Sequence, residues 1–154
     1  MVKRLFAVIL ALCAALVAPQ PASASDHATA FDESFMIRNR HTGRCLEANP
    51  LQYVIQPVVT NCYAGSWSLH RWRDNTWQLK KNGLPDVCLE DSFAAHLEIK
   101  SCNQSRGQSW YLSAPSEGTR LQNQHTHLYL EDSWTGGLRT RTNVNSNTVV
   151  WSIT

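Results

Sequence analysis

The sequence predicts an all-β domain assembled from three copies of one unit of about 40 residues. Residues 37–46, 79–89 and 121–130 nearly repeat one another, ending on Cys45-Leu46, Cys88-Leu89 and Tyr129-Leu130, each followed by a glutamate (Glu47, Glu90, Glu131). These steps lie 43 and 41 residues apart. A tryptophan follows each segment at a distance, at Trp72, Trp110 and Trp151, spaced 38 and 41. Short β-rich runs alternate with turn residues, and no window of a dozen residues beyond the N-terminal region holds a helical period.

The N-terminus is read apart from the fold. Lys3 and Arg4 precede a 13-residue apolar run at 5–17, and Ala22-Ser23-Ala24 has the small-residue pattern of a cleavage site. Residues 1–24 are therefore expected to be a secretory signal peptide, too short in its apolar part to span a bilayer. Residues 25–34 are polar and small and are expected to form a flexible arm. Residues 35–154 then make one domain, and the mature chain is expected to be extracellular. Lys3 and Arg4 leave with the peptide, which takes the basic count from 14 to 12 against 12 acidic residues. A neutral chain gives no electrostatic case for nucleic acid, and no later segment is apolar enough for membrane insertion.

Within the domain, Val58-Val59, Trp77-Gln78-Leu79, Leu97-Glu98-Ile99, Trp110-Tyr111-Leu112 and Val149-Val150-Trp151 read as strands. Thr42-Gly43, Asn49-Pro50, Asp74-Asn75, Asn82-Gly83, Ala114-Pro115, Gly136-Gly137 and residues 145–147 read as turns. One such unit cannot bury its own apolar face, whereas three packed together share a core. Trp72, Trp110 and Trp151 are expected to converge there, with Trp67 and Trp134 outside that register.

Cys13 departs with the signal peptide and leaves four cysteines. Four cysteines allow three pairings. The repeat selects Cys45–Cys62 in the first unit and Cys88–Cys102 in the second, each closing a loop of about 15 residues worth about 3 kcal/mol. The third unit carries Tyr129 at the first cysteine position. No C-x-x-C pair favours a metal site, and no cofactor is expected.

Gln108-Ser109-Trp110 is an intact Q-x-W, with His70-Arg71-Trp72 and Val149-Val150-Trp151 as degenerate copies. Three units with an early Cys-Leu-acidic step and a late Q-x-W resemble the ricin B-type lectin family over residues 35–154. The resemblance implies a β-trefoil with pseudo-threefold symmetry and one shallow sugar pocket per unit. In such a pocket a carboxylate two residues after the first cysteine accepts bonds from sugar hydroxyls. An aromatic ring two residues before the second cysteine stacks on the sugar, and a polar pair before the tryptophan adds contacts.

The sequence departs from that pattern in every unit. Glu47, Glu90 and Glu131 stand where the family usually has Asp. The platform is Thr60 in unit one and Lys100 in unit two, and the polar pair is Leu69-His70, Gly107-Gln108 and Thr148-Val149. Unit three is the preferred pocket: Glu131 to accept hydroxyl bonds, Trp134 to stack, and Arg139 and Arg141 to favour an acidic glycan. Glu90 with Gln108, and Glu47, are the further candidates. His125-x-His127 lacks a third metal ligand and is expected in a loop. No G-x-S-x-G elbow or H-E-x-x-H is present, so no catalysis is expected. The resemblance thus implies a secreted, non-catalytic carbohydrate-binding module with altered pockets. The alternative is an adaptor or targeting subunit that binds other secreted proteins in a toxin-type complex, as lectin-like subunits of cytolethal distending toxins do.

Overall fold

Each unit closes on the same hydrogen bond. The indole Nε1 of Trp67 donates to the carbonyl of Leu46 at 2.8 Å, that of Trp110 to Leu89 at 3.2 Å, and that of Trp151 to Leu130 at 3.0 Å, always across 21 residues. All six side chains are 0% exposed. Ile37, Leu79 and Leu121, also 0% exposed, complete a threefold set of nine residues at the centre of the core. Burying each contributes about 1.5–3 kcal/mol.

The structure is a computed structural model that describes residues 30–49, 56–62, 66–72, 74–94, 96–114 and 116–154. The expected signal peptide and residues 25–29 of the expected arm lie outside them. Thirteen antiparallel strands follow in chain order: β1 Ala30–Phe35, β2 Ile37–Asn39, β3 Cys45–Asn49, β4 Gln56–Thr60, β5 Trp67–Arg71, β6 Trp77–Lys81, β7 Val87–Ser92, β8 His96–Ser101, β9 Trp110–Ser113, β10 Arg120–Asn123, β11 Tyr129–Ser133, β12 Gly137–Arg141 and β13 Trp151–Ile153. No α-helix occurs among the described residues.

The strands fall into three equivalent quartets, β5-β6-β7-β8, β9-β10-β11-β12 and β13-β2-β3-β4. Trp67 pairs with Lys81, Trp110 with Asn123 and Trp151 with Asn39, which fixes one register for all three. This is a β-trefoil. Its third quartet joins the C-terminal strand β13 to β2. Strand β1 begins at Ala30, inside the segment expected as an arm, because its backbone pairs with β5 from Ala30↔His70 to Phe35↔Trp67.

Two inter-unit rings hold the three units together. Asn39 Nδ2 donates to the Thr148 carbonyl, and Asn123 Nδ2 to that of Gly107, both at 2.7 Å. At the equivalent place in unit two, Lys81 Nζ reaches the Ser66 carbonyl at 3.1 Å. Each thus ties one unit to the turn preceding its neighbour's tryptophan. The Asn side-chain oxygens also accept backbone N–H bonds from His41 and Thr42, and from His125 and Thr126, which shapes both turns. In the second ring Thr42 donates to Asp132, and Thr126 to Asp91. Unit two carries Leu84 in its turn and unit one Ala48 after its glutamate, both packed against the core.

The disulfides are Cys45–Cys62 and Cys88–Cys102, as the repeat predicts. They suit an oxidising compartment, and no helix among the described residues is long and apolar enough to cross a membrane. Three expectations change. Trp67, not Trp72, closes unit one: Trp67 begins β5 and is fully buried, whereas Trp72 lies one residue past the end of that strand and is only partly buried. Leu69-His70 therefore lie in strand β5, past the pocket turn. Val149 sits in a 3-10 turn, Asn147–Val149, which leaves Trp151 alone to begin β13.

Trp67→Phe is expected to cost about 2–4 kcal/mol, since it leaves a cavity and an unpaired buried carbonyl at Leu46. Trp72→Phe is expected to cost under about 1 kcal/mol. Denaturant unfolding of the two variants checks this; equal costs would contradict the assignment.

Candidate functional site

Strands β11 and β12 pair Glu131 directly with Arg139 and Tyr129 with Arg141. Alternation along a strand puts Glu131, Arg139 and Arg141 on one face. Arg139 Nε donates to Glu131 Oε2 and Arg141 Nη1 to Oε1, both at 2.7 Å. Thr148 Oγ1 adds a bond to Oε1 at 2.6 Å. It comes from the 3-10 turn before Trp151, where Ser146 caps its backbone N–H. The Glu131 side chain is 1% exposed, while those of Arg139 and Arg141 are 49% and 38% exposed. Burial pushes the Glu131 carboxyl up, but the bonds from Thr148, Arg141 and Arg139 outweigh it and hold the carboxyl below its ordinary value.

The exposed groups around Glu131 are hydrogen-bond donors. Both Glu131 oxygens are occupied from within, and each arginine keeps N–H groups with no partner among the described residues. Trp134, in the turn between β11 and β12, is 65% exposed. The Arg44 guanidinium lies 5.4 Å from its ring centroid, within cation–π range. Arg44 is itself fixed by Asp132, through Nε at 3.1 Å and an ion pair from Nη2, and it also donates to the Ser133 carbonyl. On the turn's other side the Arg139 guanidinium packs so near Gly136 that an added Cβ would come within 2.9 Å of it.

The other two glutamates are engaged in the same way. Glu90 accepts from Gln108 Nε2 at 3.0 Å and pairs with Lys100 at 3.4 Å. Glu98, opposite Glu90 in the β7–β8 register, pairs with Lys100 at 2.6 Å, so one cation serves two carboxylates. Gln108 is 0% exposed and also bonds Gln78, the Ser101 carbonyl and the Asn103 backbone, which makes it a bolt holding the turn. A Cβ added at Gly107 would sit 3.2 Å from Glu90 Cγ. The Asp91 carbonyl, 3.0 Å from such a Cβ, closes the same space from the backbone side. Glu47 accepts from Ser66 and pairs with Lys81 of unit two at 3.1 Å, both charged side chains being nearly buried.

The structure therefore gathers Glu131, Arg139 and Arg141 into one cluster, sets Trp134 beside it on the same hairpin, and joins Glu90 with Gln108. Glu47 belongs to a separate site. The sequence carries no signal for Arg44 and Lys81, whose partners Asp132 and Glu47 lie in other units, or for Ser66, which reaches Glu47 across 19 residues of its own unit. Thr148 stands where the family pattern has a polar side chain, and that position was its one available signal. His125 and His127 lie in the turn between β10 and β11, and no group of three or more His, Cys, Asp or Glu residues among the described residues is placed to hold a metal.

No family model matches the chain, and no curated protein matches it by sequence. Solved structures match in fold. The chain is similar to the apo β-trefoil BEL, with a TM-score of 0.68 and 12% identity over 79% of this chain and 92% of that one. It is similar to the Polyporus squamosus lectin bound to the human-type influenza-binding epitope Neu5Acα2-6Galβ1-4GlcNAc (TM-score 0.61, 12% identity, 79% of this chain and 48% of that one). It is also similar to a GlcNAcα1-4Gal-releasing endo-β-galactosidase from Clostridium perfringens (TM-score 0.66, 19% identity, 79% of this chain and 32% of that one). The chain thus spans about a third of that enzyme and half of that lectin. At these identities the likeness is one of fold.

Glu131→Gln is expected to cost about 2 kcal/mol at neutral pH, less than breaking a fully buried pair because both guanidiniums are partly solvated. The wild-type carboxyl titrates below its ordinary 4.5. Its contribution is therefore whole above that value and is lost as pH falls through the lower, folded pKa. Denaturant midpoints of both proteins from neutral pH to about pH 2 check this: the curves should converge in acid. Parallel curves would contradict it.

Proposed function

We propose that the chain is a secreted, non-catalytic carbohydrate-binding module of the ricin B-lectin type, and that its third unit takes an acidic glycan. The observation that carries this reading is the saturation of Glu131 by Arg139, Arg141 and Thr148. With its carboxylate satisfied, the site offers a ligand guanidinium N–H groups and an exposed indole, not an acceptor. A planar guanidinium fork matches a carboxylate or sulfate in two parallel bonds, whereas a neutral sugar gains less from it. Trp134 supplies the apolar face on which a pyranose ring stacks. Glu131 then organises the two arginines instead of touching the sugar. In support, the Polyporus lectin, similar in fold over 48% of its length, is bound to a sialylated epitope.

A second reading draws on units one and two. Glu47 and Glu90 are engaged by Lys81 and Lys100, and neither unit offers an aromatic at the platform position. If these faces are not sugar sites, they leave surface for another exported protein, and the module acts as an adaptor in a secreted, toxin-type assembly.

Binding of the mature protein to an array of acidic and neutral glycans decides between them. The lectin reading expects retention on carboxylated or sulfated glycans that weakens with salt. It also expects at least a tenfold loss in Arg139→Ala/Arg141→Ala and in Trp134→Ala. No retention on any glycan, together with copurification of another exported protein, would favour the adaptor. Equal retention on neutral glycans would contradict the acidic specificity.

A further inference from the structure

A groove of about 330 Å³ opens where unit three meets unit one, lined by Arg40, His41, Glu117, Asn147 and Val150. It lies apart from the Glu131 cluster: the 3-10 turn gives Thr148 to that cluster and Asn147 to the groove. Its volume falls at the small end of ligand pockets, about 300–1,000 Å³.

The trefoil's own symmetry supplies a control. Arg40 and Gln124 each follow the turn asparagine, and their backbone N–H groups make matching bonds, Arg40 to the Val150 carbonyl at 2.9 Å and Gln124 to that of Ser109 at 2.8 Å. At the second position the side chain is tied across the gap: Gln124 Nε2 bonds Asp74 Oδ2 at 2.8 Å and the Tyr111 hydroxyl at 3.3 Å. In register, Asp74 corresponds to Ser116 and Asn75 to Glu117, since Trp77 pairs with Trp110 as Thr119 pairs with Trp151. At the first position no such tie forms. Glu117 turns instead to Arg120, at 2.7 Å, and to Ser116. Arg40 has no side-chain partner among the described residues.

The stem of Arg40 is nonetheless held. Gly118 has φ +139°, and a Cβ there would lie 3.0 Å from Arg40 Cδ and 2.8 Å from both Val150 Cγ1 and the Trp151 carbonyl. Glycine lets the arginine stem lie flat, and the guanidinium shares the groove with the amide of Asn147 and the carboxylate of Glu117, which is itself paired with Arg120. Glu117 remains an acceptor at neutral pH. Bonds from its own backbone N–H, Arg120 and Ser116 hold its carboxyl below its ordinary value. Val150, 3% exposed, gives the groove an apolar wall.

We infer that this groove is a second saccharide site, in which Arg40 takes the carboxylate of an acidic sugar while Asn147 and Glu117 bond its hydroxyls. The ligand class rests on the carbohydrate-binding reading; the site itself does not depend on the Glu131 cluster. A guanidinium with no side-chain partner among the described residues, an amide and a carboxylate around an apolar wall suit an anionic polyhydroxylated ring.

The test is a titration of the ¹⁵N-labelled mature protein with N-acetylneuraminic acid, and with galactose as the neutral probe, read by amide shifts. Saturable shifts at Arg40, His41, Asn147 and Val150 with the acidic sugar are expected. Arg40→Gln, which copies the closed position, should weaken them at least tenfold, and Arg40→Lys should retain part of the affinity. Both variants keep the backbone bond to Val150, and shifts near Arg139 and Arg141 should be unchanged in them. Shifts confined to Arg139 and Arg141 would overturn the groove site and leave the unit-three reading standing. Shifts at the groove alone would do the reverse. Equal response to galactose, or indifference to Arg40→Gln, would overturn the role of Arg40, and no shift anywhere would overturn both sites.

Discussion

Three buried bonds, from the indole N–H groups of Trp67, Trp110 and Trp151 to the carbonyls of Leu46, Leu89 and Leu130, set the geometry on which the rest depends. A buried indole N–H without an acceptor costs about 1–3 kcal/mol. Each tryptophan is therefore held to a single place, against the strand that begins its own unit's hairpin. That placement brings the turn before each tryptophan against the next unit's first turn. There Asn39, Asn123 and Lys81 complete the ring. The outward-facing glutamate follows the anchored leucine by one residue, so the same bond fixes where Glu47, Glu90 and Glu131 stand.

Much of the scaffold was legible because it repeats. The Cys-Leu-Glu steps, both disulfides and two of three closing tryptophans are carried by local spacing. Trp72 was mistaken for Trp67 because a degenerate Q-x-W match was weighed above interval. Trp67 lies 43 residues before Trp110, the same interval as Cys45 to Cys88, and that equality was the usable signal. Val149 reads as strand on β-branching alone, but the inter-unit bond from Asn39 to the Thr148 carbonyl demands a tight turn there. Ala30–Phe35 forms a strand through pairing with β5, a long-range partner that local composition does not reveal.

The candidate sites were legible in position and not in chemistry. Sequence places a glutamate in each unit, but it does not say whether the carboxylate faces a ligand or an internal cation. The answer comes from across the sheet and across units: Arg139 and Arg141 for Glu131, Lys100 with Gln108 for Glu90, and Lys81 with Ser66 for Glu47. Gly107 fits because the Asp91 carbonyl and the Glu90 stem leave no room for a Cβ there. Unit three carries Tyr129 where the other two units carry the first half of a cystine, and its glutamate is paired with two arginines. Its two cations are well exposed, which separates it from the nearly buried Lys81 pair of unit one.

The account turns on which group faces the ligand in unit three. A crystal structure of the mature protein with an oligosaccharide ending in N-acetylneuraminic acid tests this most directly. The account predicts the sugar carboxylate on Arg139 or Arg141, its ring against Trp134, and both Glu131 ion pairs intact. Sugar hydroxyls seated on Glu131 with the arginines swung away would contradict it.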